Sequence, residues 1–265
     1  MVNQISFPDL EISLTVNRAA FQVFGISVYW YGLLIALGLC LAFVYGIRES
    51  KRVGLDSDHL LNMILIAVPT AIICARAYYV IFSWDMYKDD LLSIFAIRGG
   101  GLAIYGGIIG ICAVIFCYCR VKKLSMGLVL DVLAVGLLIG QAIGRWSNFV
   151  NGEAFGSFTQ LPWAMTIRRE GHLVANSVHP TFLYESLWNS VGIVLLLCYK
   201  KIKSFNGELF CAYLTWYGLG RVWIEGLRSD SLYIGDFRVS QLLAAATVIA
   251  GVCLILLGRK RKAHI

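Results

Sequence analysis

The sequence predicts an all-α integral membrane protein with seven transmembrane helices. Of its 265 residues, 58% are hydrophobic and only 15% are charged, a balance far from that of soluble globular domains. Apolar runs of about 19 to 23 residues, enough to cross a bilayer as helix, recur along the chain. They are continuous, unlike the short alternating segments of a transmembrane barrel. The runs occupy residues 25–47, 60–82, 99–119, 127–146, 181–199, 208–226 and 239–258.

Lysine and arginine are unevenly distributed between the segments that connect these runs. The connections after the first, third and fifth runs, together with the carboxyl tail, carry thirteen of them. The amino-terminal segment and the connections after the second, fourth and sixth runs carry seven. Because cationic loops remain in the cytoplasm, the bias predicts a cytoplasmic carboxyl terminus and an amino terminus outside, as an odd number of spans requires. It also accounts for the net charge of +7 without a nucleic-acid partner. The first residues lack the basic leader of a signal peptide, so we expect the first span to be retained.

No linker or repeat divides the chain, so we expect a single membrane domain over residues 1–265. The longest segment outside the membrane, about residues 148–180, predicts a small head on the outer side, between the fourth and fifth spans. The eight cysteines form no CxxC pair and no cluster with histidine. We interpret them as small buried hydrophobic residues.

Charged residues inside the apolar runs need a specific explanation, because each costs about 2.5 to 3.5 kcal/mol at the bilayer centre. Arg76 and Asp131 are interpreted as structural partners. In YGLGRVWIEGLR, four polar residues recur at helical spacing and form one stripe: Tyr217, Arg221, Glu225 and Arg228. Two interpretations of the stripe remain, a self-satisfied Arg221–Glu225 pair that fixes packing or part of a ligand site.

The segment GRWSNFVNGEAFG, residues 144–156, ends the fourth run with a dense polar cluster. Arg145 and Asn148 share a helical face, and Asn151 and Glu153 follow around a glycine. A single arginine–glutamate pair would leave the two asparagines and the flanking glycines unexplained. Glycine lets the main chain approach a ligand closely, so this segment predicts a binding site at the membrane surface.

Three further segments place polar or aromatic residues toward the same side. In HPTFLYES, His179 lies at the start of the fifth run and Glu185 about one turn inside; such a histidine is either a hydrogen-bonded helix terminus or a base. RGGGLAIYGG, residues 98–107, indicates either close helix packing or a glycine loop beside a groove. Tyr31, in YWYGL, fits an ordinary aromatic interface.

All of these groups lie toward the outer leaflet under the predicted topology, and they can line one cavity. Arginine there suits an anionic ligand, because the guanidinium stays charged and binds phosphate through two hydrogen bonds. The sequence therefore predicts a phosphate-binding site in the outer half of a helical membrane protein.

These residues resemble the bacterial phosphatidylglycerol:prolipoprotein diacylglyceryl transferases. The match runs from YWYGL through RGGGLAIYGG, GRWSNFVNGEAFG, HPTFLYES and YGLGRVWIEGLRSD to VSQLL, in the family's order and over nearly the whole chain. An arginine followed by Asn-Phe-x-Asn-Gly-Glu and a later glycine is a long and specific motif. The resemblance implies seven transmembrane helices with the amino terminus outside, in agreement with the apolar runs and the charge.

The resemblance also implies a reaction. The diacylglyceryl group of phosphatidylglycerol passes to the thiol of the lipobox cysteine in a preprolipoprotein, which forms a thioether and releases glycerol phosphate. This first step of lipoprotein maturation takes place at the outer face of the bacterial cytoplasmic membrane and uses no cofactor or metal. The implied partners are phosphatidylglycerol, the lipobox segment and membrane lipid.

The family's functional positions carry over residue by residue. Arg145 and Arg221 match its phosphate-binding arginines, and Glu153 and Glu225 are interpreted as orienting them. The expected substrate-binding residues, besides Arg145, are Tyr31, Asn148, Asn151, His179, Glu185, Tyr217, Glu225 and Arg228. Tyr105, the fourth expected catalytic residue after Arg145, Arg221 and Glu153, stands where a well-known version of the pattern has a histidine in the glycine loop.

A tyrosine is a poor base at neutral pH but a fair hydrogen-bond donor. Either Tyr105 positions substrate, or a glutamate or His179 accepts the thiol proton.

Two other classes of function compete with transfer. A small transporter would use Arg221 and Glu225 in its pathway, but such folds often have internal repeats and midplane sites. Here the sequence has no repeat, and its polar groups gather on one side. A purely structural or partner-binding protein would leave the clustered arginines unexplained.

Overall fold

A computed structural model describes residues 2–97, 100–229, 233–234 and 237–263. Seven α-helices lie in these ranges, and each overlaps one predicted apolar run. They are α1 (Trp30–Arg52), α2 (Ser57–Phe82), α3 (Ile104–Val121), α4 (Met126–Asn151), α5 (Thr181–Tyr199), α6 (Glu208–Leu227) and α7 (Val239–Ala263). Six of them, all but α6, are long and apolar enough to cross a membrane. The protein is therefore a mostly helical membrane protein.

Short strands accompany the helices, a feature that the all-α prediction omits. They are β1 (Val2–Phe7), β2 (Ile12–Asn17), β3 (Ala19–Val23), β4 (Ile26–Tyr29), β5 (Met165–Arg169), β6 (His172–Val178), β7 (Tyr233–Ile234) and β8 (Phe237–Arg238). Four form an antiparallel sheet in the order β2-β1-β5-β6, whereas β3 pairs with β4 and β7 with β8. The head predicted at 148–180 is thus incomplete, because residues 2–17 supply half of its sheet.

The chain divides into two compact units. The first comprises residues 1–45 and 130–265, and the second comprises residues 46–129. The first unit holds the four-stranded sheet, most of α4 and the whole of α5, α6 and α7. The second holds α2 and α3.

One face of the head sheet forms a hydrophobic core with the ends of α4 and α5. Ile5 and Phe7 alternate with exposed residues along β1, the pattern of a strand with one buried face. They pack with Ile167 of β5 and Phe182 of α5, against the partly buried Phe149 of α4. The sheet is thereby fixed to the two helices that carry the predicted site residues Arg145, Asn148, Asn151 and Glu185.

Helices α5 and α6 pack through a symmetric tryptophan pair. The rings of Trp188 and Trp216 stack with centroids 4.2 Å apart. Each indole N–H donates to the main-chain carbonyl of the other residue at 3.0 Å. Because both polar groups of the pair are satisfied, large aromatic area is buried without a lost hydrogen bond.

Asp131 and Arg76 hold local structure, as the sequence predicts. Asp131 pairs with Lys203 at 2.8 Å and accepts from the amides of Gly207 and Phe210, so it satisfies free N–H groups where α6 begins. Within the second unit, Arg76 donates to main-chain carbonyls in the segment 93–101 at 2.7 to 3.0 Å.

The eight cysteines are all free, and Cys119 and Cys211 are buried. The prediction of burial is wrong for five of them, which lie exposed on helix surfaces: Cys40, Cys112, Cys117, Cys198 and Cys253. Apolar periodicity does not distinguish a helix face that packs on protein from one that contacts lipid, since both are apolar.

Candidate functional site

The last turns of α4 carry three predicted site residues. The helix continues through Arg145 and Asn148 and ends at Asn151. Gly152 follows, and its φ of +61° is the left-handed conformation common after a helix. The polar segment is thus helical over its first half, and the turn follows Asn151 directly.

The carboxyl end of α4 is capped by residues distant in sequence. Asn3 donates to the Val150 carbonyl at 2.8 Å, and Arg18 and Arg169 donate to the Asn151 carbonyl at 2.5 and 3.3 Å. Two cations at a helix carboxyl terminus satisfy free carbonyls and oppose the helix dipole. The sequence pattern did not identify these three caps, because they lie in or beside strands that it had not assigned.

The turn after α4 is hydrogen-bonded to two other predicted motifs. The Gly156 amide donates to the His179 carbonyl at 2.9 Å, and the Ser157 amide donates to the Leu227 carbonyl at 2.7 Å. A Cβ on Gly156 would lie 2.6 Å from His179 Cβ and 2.9 Å from the Leu227 carbonyl oxygen. Only glycine fits there, so this residue lets three separate segments meet.

Glu185 is the centre of an ion-pair cluster. Its carboxylate lies 2.6 Å from Arg145 of α4, 3.2 Å from Arg221 of α6 and 3.9 Å from Arg228, which follows α6. Glu185 is 4% exposed. A buried carboxylate is stable only when it is paired, and three guanidinium groups from three segments supply that pairing.

A second buried carboxylate, Glu225, completes the cluster. It pairs with Arg221 one helical turn earlier, and Arg238 donates to its main-chain carbonyl. Among the described residues, the cluster contains three arginines and two carboxylates and is therefore net positive, and Arg238 lies beside it. Sequence spacing did not single out Arg238, because it follows α6 by a connection and lies on no helical stripe with Glu225.

Tyr217 lies one turn before Arg221 and stacks on Tyr213, with ring centroids 5.9 Å apart. Together with Glu185 and Arg221 it borders a cavity of only about 10 Å³ between α5 and α6. The predicted stripe therefore packs tightly against α5, as expected if the Arg221–Glu225 pair fixes packing. Arg221 is also joined to Arg145 through Glu185, as expected if the stripe is part of a ligand site.

Glu153 lies away from the arginines that it was expected to orient. Its carboxylate accepts from the Asn151 side chain at 3.2 Å, and its amide donates to the Asn148 carbonyl at 3.1 Å. Burial and the neighbouring Arg169 lower the pKa of Arg18, and Glu153 opposes that effect. The exposed Glu153 thus belongs to the capped end of α4, beside the cluster.

His179 immediately precedes α5 and has a defined hydrogen-bond partner. Its Nδ1 lies 3.1 Å from the Tyr184 hydroxyl, which accepts from the Trp163 indole at 2.6 Å. Burial lowers the pKa of His179, so the neutral imidazole is favoured at pH 7. Because the tyrosine oxygen already accepts from tryptophan, its proton is free for Nδ1. This assignment leaves Nε2–H as a donor.

The remaining predicted residues lie elsewhere. Tyr31 is exposed in the first turn of α1. Tyr105 belongs to the second unit, where its ring lies 6.5 Å from that of Tyr78 and is 40% exposed. Both Tyr105 and Gly106 lie in the first turn of α3, and Gly106 packs directly on the Cys74 carbonyl of α2, which supports the packing interpretation. Arg98, Gly99 and Asp230, quoted in the motifs, lie outside the described residues.

Fold and site together define a polytopic membrane protein with a buried, net-cationic arginine–glutamate cluster. The family model for prolipoprotein diacylglyceryl transferase matches residues 18–257. The chain belongs to that family.

Relatives with the name phosphatidylglycerol–prolipoprotein diacylglyceryl transferase cover nearly the whole chain. The protein from Clostridioides difficile is 43% identical over 94% of this chain and 99% of its own length. The proteins from Finegoldia magna and Lysinibacillus sphaericus are 49% and 42% identical, over 90% and 93% of this chain and 94% and 93% of their own lengths.

Proposed function

We propose that this chain transfers the diacylglyceryl group of phosphatidylglycerol to the acceptor cysteine of a prolipoprotein. The observation that carries the proposal is the convergence of Arg145, Arg221 and Arg228 on Glu185 in a member of this family. A net-cationic cluster held by a buried carboxylate suits a phosphodiester headgroup.

The reaction starts when the cysteine thiol gives its proton to water. The thiolate sulfur then attacks the glycerol carbon that carries the phosphate, and a carbon–sulfur bond forms as the carbon–oxygen bond breaks. The electron pair leaves with the phosphate, which departs as glycerol phosphate. Arg145 and Arg221 stabilise the charge that develops on the departing phosphate, and a donor of this kind is typically worth about 2.7 to 4 kcal/mol.

The other residues position the arginines or the substrate. Glu185 and Glu225 hold the guanidinium groups, while Asn148, Asn151, Tyr31 and Tyr217 contribute to substrate binding. His179 Nε2–H and the Tyr105 hydroxyl act as hydrogen-bond donors. The cationic cluster itself favours the thiolate of the incoming cysteine.

We propose further that α6 is a seventh span and that the site faces the outer leaflet. Beyond its first residue, helix α6 contains two charged side chains, Arg221 and Glu225; they are paired with each other, and pairing reduces the cost of placing them in a bilayer. The distribution of cations between connections supports an outer amino terminus. One membrane domain over residues 1–265 remains a prediction, and the relatives give the transporter hypothesis no support.

The direct assay uses purified protein, phosphatidylglycerol vesicles and a peptide with an acceptor cysteine. We expect glycerol phosphate to be released only when both substrates are present. A transporter or a structural protein would release none, so absence of product from folded protein would overturn the proposal.

A further inference from the structure

The head sheet has a free edge at β2. Main-chain groups in an antiparallel strand alternate between its two neighbours. Because the Val2 carbonyl accepts from Glu170, beside β5, Val2, Gln4 and Ser6 face β5, and Asn3, Ile5 and Phe7 face β2. In the observed register, the residues of β2 that bond to β1 are then Ile12, Leu14 and Val16.

The main-chain groups of Ser13, Thr15 and Asn17 consequently point away from the sheet. No other described element donates to them or accepts from them. An edge strand with unpaired N–H and C=O groups is a template for another strand.

A cavity of about 550 Å³ lies beside this edge. It is lined by the consecutive residues 15–17 of β2, by Ala19 and Ala20, and by Trp30, Leu34, Trp146 and Phe149 from α1 and α4. Successive side chains of a strand point to opposite faces, so three consecutive residues place the cavity along the strand's edge. Every side chain around it is uncharged.

We propose that the free edge of β2 binds an extended segment of the prolipoprotein, which pairs with Ser13 and Thr15 and places uncharged side chains in this cavity. The inference rests on the proposed function, since it assigns a location to that reaction's protein substrate. Strand addition of this kind combines main-chain hydrogen bonds with side-chain pockets.

A peptide suits this site better than a lipid chain. An acyl chain would fill the aromatic part of the cavity but would leave the edge of β2 without partners, whereas a peptide satisfies both. The cavity is connected to the arginine cluster through α5. Trp146, which lines the cavity, donates its indole N–H to Ser186 at 3.1 Å, and Glu185, the residue before Ser186, pairs with Arg145.

Photocrosslinking tests the location without requiring turnover. A photoreactive residue is placed at Leu14 of β2 or, as the control, at Leu173 of β6, the opposite edge of the same sheet; both are exposed. The probe is a substrate peptide whose cysteine is replaced by serine. We expect crosslinks from position 14 and few from position 173. Equal yields at the two edges, or crosslinks to phospholipid alone, would overturn the proposal.

Kinetics test the pairing itself. Thr15→Pro removes an outward N–H from an edge strand, where proline is tolerated. We expect it to raise the KM for peptide by about tenfold, as loss of one main-chain bond can, with the KM for phosphatidylglycerol unchanged. Leu173→Pro on β6, the control, should change neither the KM for peptide nor the KM for phosphatidylglycerol. N-methylation along the peptide should weaken binding at every second residue, and a uniform response would contradict strand pairing.

The two proposals fail in different ways. Crosslinking at Leu14 by a chain that forms no product would retain the docking site and remove the transferase assignment. Product formation with equal crosslinking at both edges would retain the transferase assignment and remove the docking site.

Discussion

Glu185 is the carboxylate that Arg145, Arg221 and Arg228 share. Removing one partner of a buried ion pair typically costs about 3 to 5 kcal/mol. We expect Glu185→Gln to lower kcat/KM by at least about a hundredfold, because Arg145 and Arg221 are no longer held. Steady-state transfer by detergent-solubilised protein measures the loss.

A matched control is Asp131→Asn, which removes another buried, ion-paired carboxylate. Asp131 lies on α4 about 21 Å from Arg145 along the helix axis. It should lower the melting temperature while the folded fraction keeps normal kinetics. If Glu185→Gln behaves in the same way, Glu185 has only a structural role.

Tyr105 is the residue at which the chain departs from the histidine-containing pattern. As a hydrogen-bond donor to substrate, its hydroxyl should contribute about a factor of ten, so we expect Tyr105→Phe to reduce kcat/KM by that amount. Tyr105→His should restore activity above a pH of about 6.5, where imidazole is neutral. The dependence of kcat/KM on pH, measured for both variants, tests these expectations. Full activity of Tyr105→Phe would show that the hydroxyl has no role in the reaction.

His179 should make stability depend on pH. Burial lowers its pKa in the folded state, so the unfolded chain binds more protons between that value and the ordinary 6.5 of histidine. The stabilising effect of the neutral imidazole is complete above pH 6.5 and is lost as pH falls through the folded pKa. Thermal unfolding of wild type and His179→Gln between pH 8 and 5 measures it. An equal loss of stability in both proteins would contradict the assignment.

Among the connecting elements, the turn after α4 is the one that joins three motifs. We expect Gly156→Ala to reduce transfer strongly and to lower stability by several kcal/mol, because its Cβ would overlap His179 and the Leu227 carbonyl. Activity and melting temperature are measured together. Gly140→Ala in α4 is the control, since its Cβ would meet no heavy atom closer than 3.9 Å. Wild-type behaviour of Gly156→Ala would show that the segments can separate without loss.

Helices and strands were not equally predictable from the sequence. Each helix has a long apolar run, and α5 begins at Thr181, the first residue of the fifth run. The strands β1 and β2 were missed because six residues of alternating pattern in a polar segment give a weak signal. The sheet also requires β5, which is distant in sequence and pairs with β1.

For the whole molecule, the topology is the main open prediction. A tag at the amino terminus and a tag at the carboxyl terminus should lie on opposite sides of the membrane if α6 crosses it. Protease accessibility in intact cells and in spheroplast lysates measures the side of each tag. Tags on the same side would mean an even number of spans and would exclude α6 as the seventh.

The charged residues inside the apolar runs were recognisable in the sequence, but their partners were not. Helical spacing placed Arg221 with Glu225, one turn apart on α6. It could not show that Glu185 on α5 joins Arg145 on α4 to Arg228, since contacts between helices have no fixed spacing in sequence. The interpretation that Glu153 orients the arginines came from the family resemblance, and in the structure this carboxylate accepts from Asn151 at the capped end of α4.

The mass of the acceptor peptide tests the central claim most directly. Purified protein is incubated with phosphatidylglycerol and either the cysteine peptide or its serine counterpart, and the products are analysed by mass spectrometry. We expect a diacylglyceryl thioether on the cysteine peptide alone, with Arg145→Ala reducing its formation by about a hundred- to a thousandfold. An unmodified cysteine peptide with folded wild-type protein, or normal modification by Arg145→Ala, would contradict the account.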